Sequence, residues 1–193
     1  MILFEKIKDK INNLKNKNNL PNPVNDKLLK REQNKNSDEG IVYGSSNNLS
    51  KNFSYSEMIY SATANKYKID NTPDNESLAN LKKLCETILQ PIRDKYGYPI
   101  KITSGYRGPK LNQKVGGAKN SDHMFGAAAD FKATHGTNKE LFDLVMKMIK
   151  NKEIKCRQLI WEYGTKSNPN WLHISINHSK NKQKNNQVLY IFD

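Results

Sequence analysis

The spacing of apolar residues after residue 52 constrains the fold of this chain more than any other feature. One stretch repeats apolar side chains at steps of three and four, the helical period, and would bury them on one face: Leu78, Leu81, Leu84, Cys85, Ile88, Leu89 and Ile92. We expect this helix to open at Thr72-Pro73, with a capping hydroxyl and a proline at the first helical position. A second helix is predicted over about 138–150, because Thr137 and Glu140 have capping-box spacing.

Short alternating or apolar runs predict strands around these two helices. The runs cover residues 100–103, 127–131, 158–163, 171–176 and 188–192. We therefore predict an α+β domain over residues 52–193, in which a small antiparallel sheet carries two main helices. Cys85 and Cys156 lack CxxC spacing, so we expect each to be a small buried hydrophobic residue.

Residues 1–51 differ in composition from the rest of the chain. Residues 1–20 place apolar side chains at helical steps among lysines, which predicts a basic amphipathic helix. We expect such a helix to dock on a membrane surface or on a partner such as a virion protein, and the alternatives are that it packs on its own domain or frays at the terminus. Residues 21–51 are rich in Asn, Lys, Ser and Pro, and we expect them to form a flexible linker. We expect no signal peptide and no membrane span, because each needs a longer apolar run.

The chain has a net charge of +13, from 32 Lys and Arg against 19 Asp and Glu. Such a charge attracts polyanions, among them nucleic acid, anionic lipid and an anionic cell wall. The basic residues are scattered, and we find neither an aromatic-and-basic platform nor a recognition helix. Nucleic acid is therefore the least supported of these partners.

Two polar residue types in apolar surroundings suggest a metal site. His123 is followed by small residues and by Asp130, which lies in an apolar strand, and His173 lies in another apolar run. A buried carboxylate needs a cation or a metal as partner. Two imidazoles and one carboxylate suit a catalytic zinc site with its fourth position left for water. The alternative is that the histidines are hydrogen-bonded core residues.

Several motifs, in order, resemble the zinc D-alanyl-D-alanine carboxypeptidase family. They are Thr103-Ser104-Gly105-Tyr106-Arg107, Asn112, Gly116-Gly117, Ser121 with His123, Ala129-Asp130, and Trp171 with His173. That family includes phage L-alanyl-D-glutamate endopeptidases and shares its fold with hedgehog signalling domains. The resemblance covers residues 53–179 and implies a hedgehog/DD-peptidase fold.

The resemblance also implies roles for single residues. His123, Asp130 and His173 would bind one zinc ion per chain. Arg107 would lie beside the scissile carbonyl, and Ser121, Arg107 and Tyr106 would contact the substrate.

The sequence departs from the family pattern at the positions where many members have their general base. Many members place a Glu three residues before the last histidine, or another His two before it, and here those positions hold Asn170 and Trp171. The nearest carboxylate is Glu162, which could reach the metal site if its strand pairs with residues 171–176. The alternative is an exposed strand-end glutamate and a missing base.

The function implied by the resemblance is hydrolysis of amide bonds in the peptidoglycan stem peptide, which contains D-amino acids. We expect a phage or virion-associated lysin, located in a virion or in the host cell envelope. The alternative is a virion structural or anchoring protein that keeps the fold as a cell-wall-binding module.

Overall fold

A computed structural model describes residues 48–181 and 183–192 of the chain. The predicted α+β class is confirmed, with a small, mostly antiparallel sheet and several helices. In chain order the elements are β1 (Asn48–Ser50), β2 (Phe53–Ser54), α1 (Tyr55–Ile59), α2 (Ala62–Tyr67), α3 (Asn75–Leu84), a π-helical segment (Cys85–Leu89), α4 (Gln90–Tyr96), β3 (Ile100–Ser104), α5 (Pro109–Lys114), a 3-10 turn (Asp122–Phe125), β4 (Ala128–Ala133), α6 (Asn138–Lys150), β5 (Gln158–Glu162), β6 (Trp171–Ser175) and β7 (Gln187–Ile191).

The first long helix runs through α3, the π-helical segment and α4, and its predicted apolar stripe is buried except for Leu78, which is partly buried. The predicted start at Thr72-Pro73 is wrong, because the N-cap is Asp74, whose Oδ1 accepts a hydrogen bond from the Ser77 backbone N–H at 2.7 Å. The backbone N–H of Thr72 instead donates to Asp70 Oδ1, in a turn that precedes the helix. Gly97, at φ 78°, ends the helix in the left-handed conformation that suits glycine.

The second long helix, α6, spans the predicted residues and begins with the predicted capping box. Thr137 Oγ1 accepts from the Glu140 backbone N–H at 3.1 Å, and Glu140 Oε2 accepts from the Thr137 backbone N–H at 2.7 Å. Both cysteines are buried and free, as expected from their spacing.

The five-stranded sheet has the order β3-β4-β6-β5-β7. Three of its pairings are antiparallel, as predicted, whereas β7 pairs with β5 in parallel. The chain reverses direction after β6 and then passes beyond β5. The last strand therefore runs in the same direction as β5.

The register of the sheet brings polar side chains onto one face. Asp130 on β4 lies opposite His173 on β6, and His173 lies opposite Ile160 on β5. Residues opposite one another in a sheet share a face, and neighbours along a strand point to the other face. The opposite face carries apolar residues such as Leu159 and Leu172, which are buried in the hydrophobic core.

The folded domain includes residues that the sequence analysis assigned to the linker 21–51. Asn48–Ser50 form β1, which pairs with β2, and Leu49 is buried in the core. Ser50 Oγ also donates to Gln90 Oε1 at 3.1 Å, which ties the strand to the first long helix. The amphipathic helix predicted for residues 1–20 and the linker up to residue 47 lie outside the described residues. Among the described helices, none combines the length and apolarity needed to cross a membrane.

Candidate metal centre

His123, Asp130 and His173 converge, although they lie on three different elements of the domain. His123 lies in the 3-10 turn, Asp130 on β4 and His173 on β6, and all three are buried. His123 Nε2 is 3.2 Å from Asp130 Oδ1 and 3.2 Å from His173 Nδ1, and His173 Nδ1 is 2.8 Å from Asp130 Oδ1. Two ring nitrogens and one carboxylate oxygen therefore point at a common volume.

A backbone carbonyl fixes the orientation of His123. Its Nδ1 lies 2.7 Å from the carbonyl oxygen of Gly105, which can only accept a hydrogen bond. Nδ1 therefore carries the proton, and in the neutral ring Nε2 keeps its lone pair toward Asp130. Position 105 requires glycine here, because a Cβ would lie 2.2 Å from the carbonyl oxygen of Met58. The Gly105 of the sequence motif thus positions a candidate ligand.

The electrostatics of the cluster favour an ionised carboxylate. Burial by itself would raise the pKa of Asp130, but the two neighbouring histidines lower it, and the net pKa lies well below its usual range. Burial would lower the pKa of His173, but the hydrogen bond to Asp130 and the nearby carboxylates raise it overall. Asp130 therefore supplies a buried negative charge that attracts a cation.

The separations of the three ligand atoms fit zinc. In a tetrahedral site with metal–ligand bonds of about 2.0–2.2 Å, ligand atoms lie about 3.3–3.6 Å apart. Two of the observed separations, both 3.2 Å, lie just below this range, and the third, 2.8 Å, is shorter than the range by about 0.5 Å or more. The donor set, two neutral imidazoles and a carboxylate, is also one that catalytic zinc sites use. These residues therefore fit a zinc ion without a change of fold.

The cluster lies on the wall of a cleft of about 530 Å³. One side of the cleft is formed by polar side chains of β5 and β6, including Glu162 and Trp171. Another side is the loop of residues 115–118 with Ser121. Gly117 in that loop packs against the side chain of Asn112, whose Nδ2 donates to the Ala118 carbonyl at 2.9 Å. The motif residues Asn112 and Gly117 thus shape the cleft.

Arg107 lines the cleft between the candidate ligands and Ser121. Its Nη1 is 4.0 Å from Asp130 Oδ2, and its Nη2 donates to Ser121 Oγ at 3.4 Å. Its backbone N–H donates to the His123 carbonyl at 3.1 Å, which joins the two motifs. Burial lowers the pKa of the guanidinium, whereas the nearby carboxylates of Asp130 and Glu162 raise it, and the net shift is downward. The guanidinium nevertheless remains charged at neutral pH, as arginine does in proteins.

Glu162 lies at the end of β5, directly opposite Trp171 on β6. Its Oε2 accepts a hydrogen bond from Trp171 Nε1 at 2.8 Å, and both side chains line the cleft. The strand pairing that the sequence analysis made a condition for this residue is therefore present. Glu162 lies on the same face of the sheet as His173, two residues farther along the strand pair.

Tyr106 does not belong to the cleft. Its side chain is buried in the hydrophobic core, and it is absent from the residues that line the cavity. Its backbone N–H donates to the Met58 carbonyl at 2.8 Å, and its carbonyl accepts from Asn71 Nδ2 at 3.0 Å. The substrate contact expected of Tyr106 stays a prediction, and in the structure this residue anchors the loop from which Arg107 reaches the cleft.

Sequence reasoning missed two cleft residues, Asp122 and Arg157. Their side chains form an ion pair of 2.9 Å although they lie 35 residues apart. A signal for Asp122 was its position next to His123, inside the motif. Arg157 gave a weaker signal, since it only precedes a predicted strand.

A comparison with protein families identifies the group that the motifs resemble. The family model described as Peptidase M15 matches residues 51–175, and this range includes all the candidate ligands as well as Arg107 and Glu162. A comparison with curated proteins found no match. Because the family model covers more than half of the chain, the chain belongs to the peptidase M15 family, the family of zinc D-alanyl-D-alanine carboxypeptidases, which act on peptidoglycan.

Proposed function

We propose that this chain is a zinc peptidase that hydrolyses an amide bond of the peptidoglycan stem peptide, next to a D-amino acid. The observation that carries the proposal is the convergence of His123, Asp130 and His173 in one cleft with Glu162 and Arg107. Both the DD-carboxypeptidase and the L-alanyl-D-glutamate endopeptidase type are compatible with this arrangement.

The residues that hold the metal are His123 through Nε2, Asp130 through Oδ1 and His173 through Nδ1. When bound there, zinc supplies a Lewis acid that makes water a better nucleophile and polarises the scissile carbonyl. The Gly105 carbonyl keeps His123 in the tautomer that binds a metal.

Glu162 is the proposed general base. Its Oε2 is held by Trp171 Nε1, which leaves Oε1 to accept a proton from the attacking water. As the water oxygen bonds to the carbonyl carbon, that proton passes to Oε1 and then to the leaving nitrogen when the C–N bond breaks. Glu162 is thus unchanged at the end of the cycle, and no covalent bond to the protein forms.

Arg107 is proposed to stabilise the negative charge that develops on the carbonyl oxygen. Its guanidinium is mostly buried, with a side chain that is 21% exposed, so its charge acts in a poorly screened environment. The hydrogen bond with Ser121 orients the guanidinium, and Ser121 is proposed to contact the peptide.

The biological setting we propose is a lysin associated with a phage or virion, acting at the host cell envelope. The net charge of +13 supports attraction to a wall that carries carboxylates and anionic polymers. Residues 1–20 would then attach the enzyme to a membrane surface or to a virion protein. Detection of the chain in purified phage particles by mass spectrometry tests this setting, and its absence from such particles would contradict it.

The reaction is tested by digesting purified sacculi and identifying the released peptides by mass spectrometry. We expect new amino termini or free D-amino acids from a single type of stem-peptide bond, and no release after treatment with a zinc chelator. Release that persists unchanged without metal would contradict the proposal. Binding to sacculi without any release would indicate a cell-wall-binding module instead.

A further inference from the structure

A second arginine, Arg157, lines the cleft at the end opposite Glu162 and takes no part in the proposed reaction. On β6, His173 lies opposite Ile160, the middle residue of β5. Gln158 and Glu162 lie two residues to either side of Ile160, which corresponds to about 7 Å in each direction. Arg157 directly precedes Gln158, so its position along the sheet is on the far side of the metal cluster from the proposed base.

Arg157 is fixed in place by a buried carboxylate. Asp122 Oδ2 accepts from Arg157 Nη1 at 2.9 Å, and the two side chains are 6% and 11% exposed, respectively. Asp122 Oδ1 also accepts from His178 Nε2 at 3.2 Å and from Asn181 Nδ2 at 3.0 Å. These three donors satisfy the carboxylate and hold the guanidinium in one orientation.

The guanidinium keeps unused donors. Its Nη1 bonds to Asp122 and to Gln158 Oε1. Within the described part of the chain, its buried Nε has no acceptor and its Nη2 makes no hydrogen bond. Nε and Nη2 form one edge of the planar group, and such an edge matches the two oxygens of a carboxylate. A buried donor without an acceptor is rare in folded proteins and needs an explanation.

We propose that Arg157 binds a carboxylate of the substrate peptide and thereby determines its specificity. The inference rests on the proposed function, since stem peptides carry free carboxylates. Arg157 lies three residues from Ile160, about 10 Å along the sheet, which corresponds to about three residues of an extended peptide. The enzyme therefore prefers stem peptides that have a free carboxylate within about three residues of the cleaved amide over peptides in which this group is a carboxamide.

Binding is measured by calorimetry on the zinc-loaded Glu162→Gln protein, which holds the substrate without turning it over. The probes are a synthetic stem pentapeptide with free carboxyl groups and the same peptide with carboxamides in their place. We expect the free form to bind about ten- to hundredfold more tightly, as for a charge-assisted hydrogen bond. Adding Arg157→Gln reduces this ratio to within about twofold.

Arg93→Gln is the matched control, because it removes a guanidinium that lies outside the cleft and lines a different cavity. This variant keeps the tenfold or greater ratio. Equal affinity for the two peptides in the protein that retains Arg157, or a ratio that survives Arg157→Gln, overturns the proposal. The comparison of the two peptides on the protein that retains Arg157 needs no substitution at position 157. It therefore tests the proposal even if Arg157→Gln leaves Asp122 without its partner and impairs folding.

Kinetics with the same two peptides separate this inference from the proposed function. If the wild-type protein cleaves both peptides with equal kcat/KM, the carboxylate site is refuted and the peptidase activity stands. If it cleaves neither but binds the free form more tightly, the peptidase activity is refuted and the carboxylate site stands. Arg157→Lys, which keeps the charge but loses the planar edge, is expected to retain part of the preference.

Discussion

Replacing Glu162 with Gln removes a proton acceptor while it leaves the shape of the site unchanged. The side-chain amide oxygen of Gln can still accept the hydrogen bond that Trp171 Nε1 now donates to Glu162 Oε2 at 2.8 Å. The variant therefore loses the capacity to take a proton from water and little else. A positioned general base contributes about 10²–10⁴ in rate, so we expect kcat to fall by that factor, or about 2.7–5.4 kcal/mol in the barrier.

The assay is chromatographic measurement of product from a soluble stem peptide, together with the zinc content of each protein. Because Glu162 is outside the proposed ligand set, zinc content should stay at the wild-type level. Trp171→Phe is the matched control: it removes the indole N–H that orients the carboxylate and should lower kcat less than Glu162→Gln does. A Glu162→Gln protein that keeps its zinc and works within threefold of the wild-type rate would refute the assignment of the base.

Three further outcomes are expected. Arg107→Ala should retain zinc and lose about 10²–10³ in kcat, since one donor to the developing oxyanion is removed; parallel kinetics and metal analysis check this. Thr137→Ala should lower the free energy of unfolding by about 0.5–2 kcal/mol in urea titrations, because the cap of α6 is lost. Burial raises the pKa of Cys156 to about 11 and also raises that of Cys85, so neither thiol should react with a disulfide reagent at pH 8 until the protein is unfolded.

The apolar spacing predicted the two long helices and the strands because burial of one face determines both the period and the register. The sequence predicted the start of the first helix less reliably than its apolar face, because Thr72 and Asp74 both carry oxygens that can cap a helix. The folded structure decides between them. The Thr72 backbone N–H donates to Asp70 Oδ1 in the preceding turn, whereas Asp74 caps the helix. Position 106 shows a related limit, because adjacent residues of a loop can point in opposite directions. Tyr106 enters the core while Arg107 reaches the cleft.

The candidate ligands were accessible from sequence because each is a polar residue in an apolar or small-residue context, and the motifs resemble a known family. The pair formed by Asp122 and Arg157 was not accessible in this way. Its members are 35 residues apart, and only the packing of the 3-10 turn against the start of β5 brings them together. Partners of this kind depend on the three-dimensional fold, so a single sequence carries little information about them.

The measurement that tests the central claim most directly is the zinc content of the purified protein and of its ligand variants after equilibrium dialysis. We expect one zinc ion per wild-type chain and almost none in folded His123→Ala, Asp130→Ala or His173→Ala protein. Ser121→Ala, which changes a cleft residue outside the ligand set, should keep the full complement. Stoichiometric zinc that remains after any one of the three ligand substitutions would contradict a centre built from these side chains.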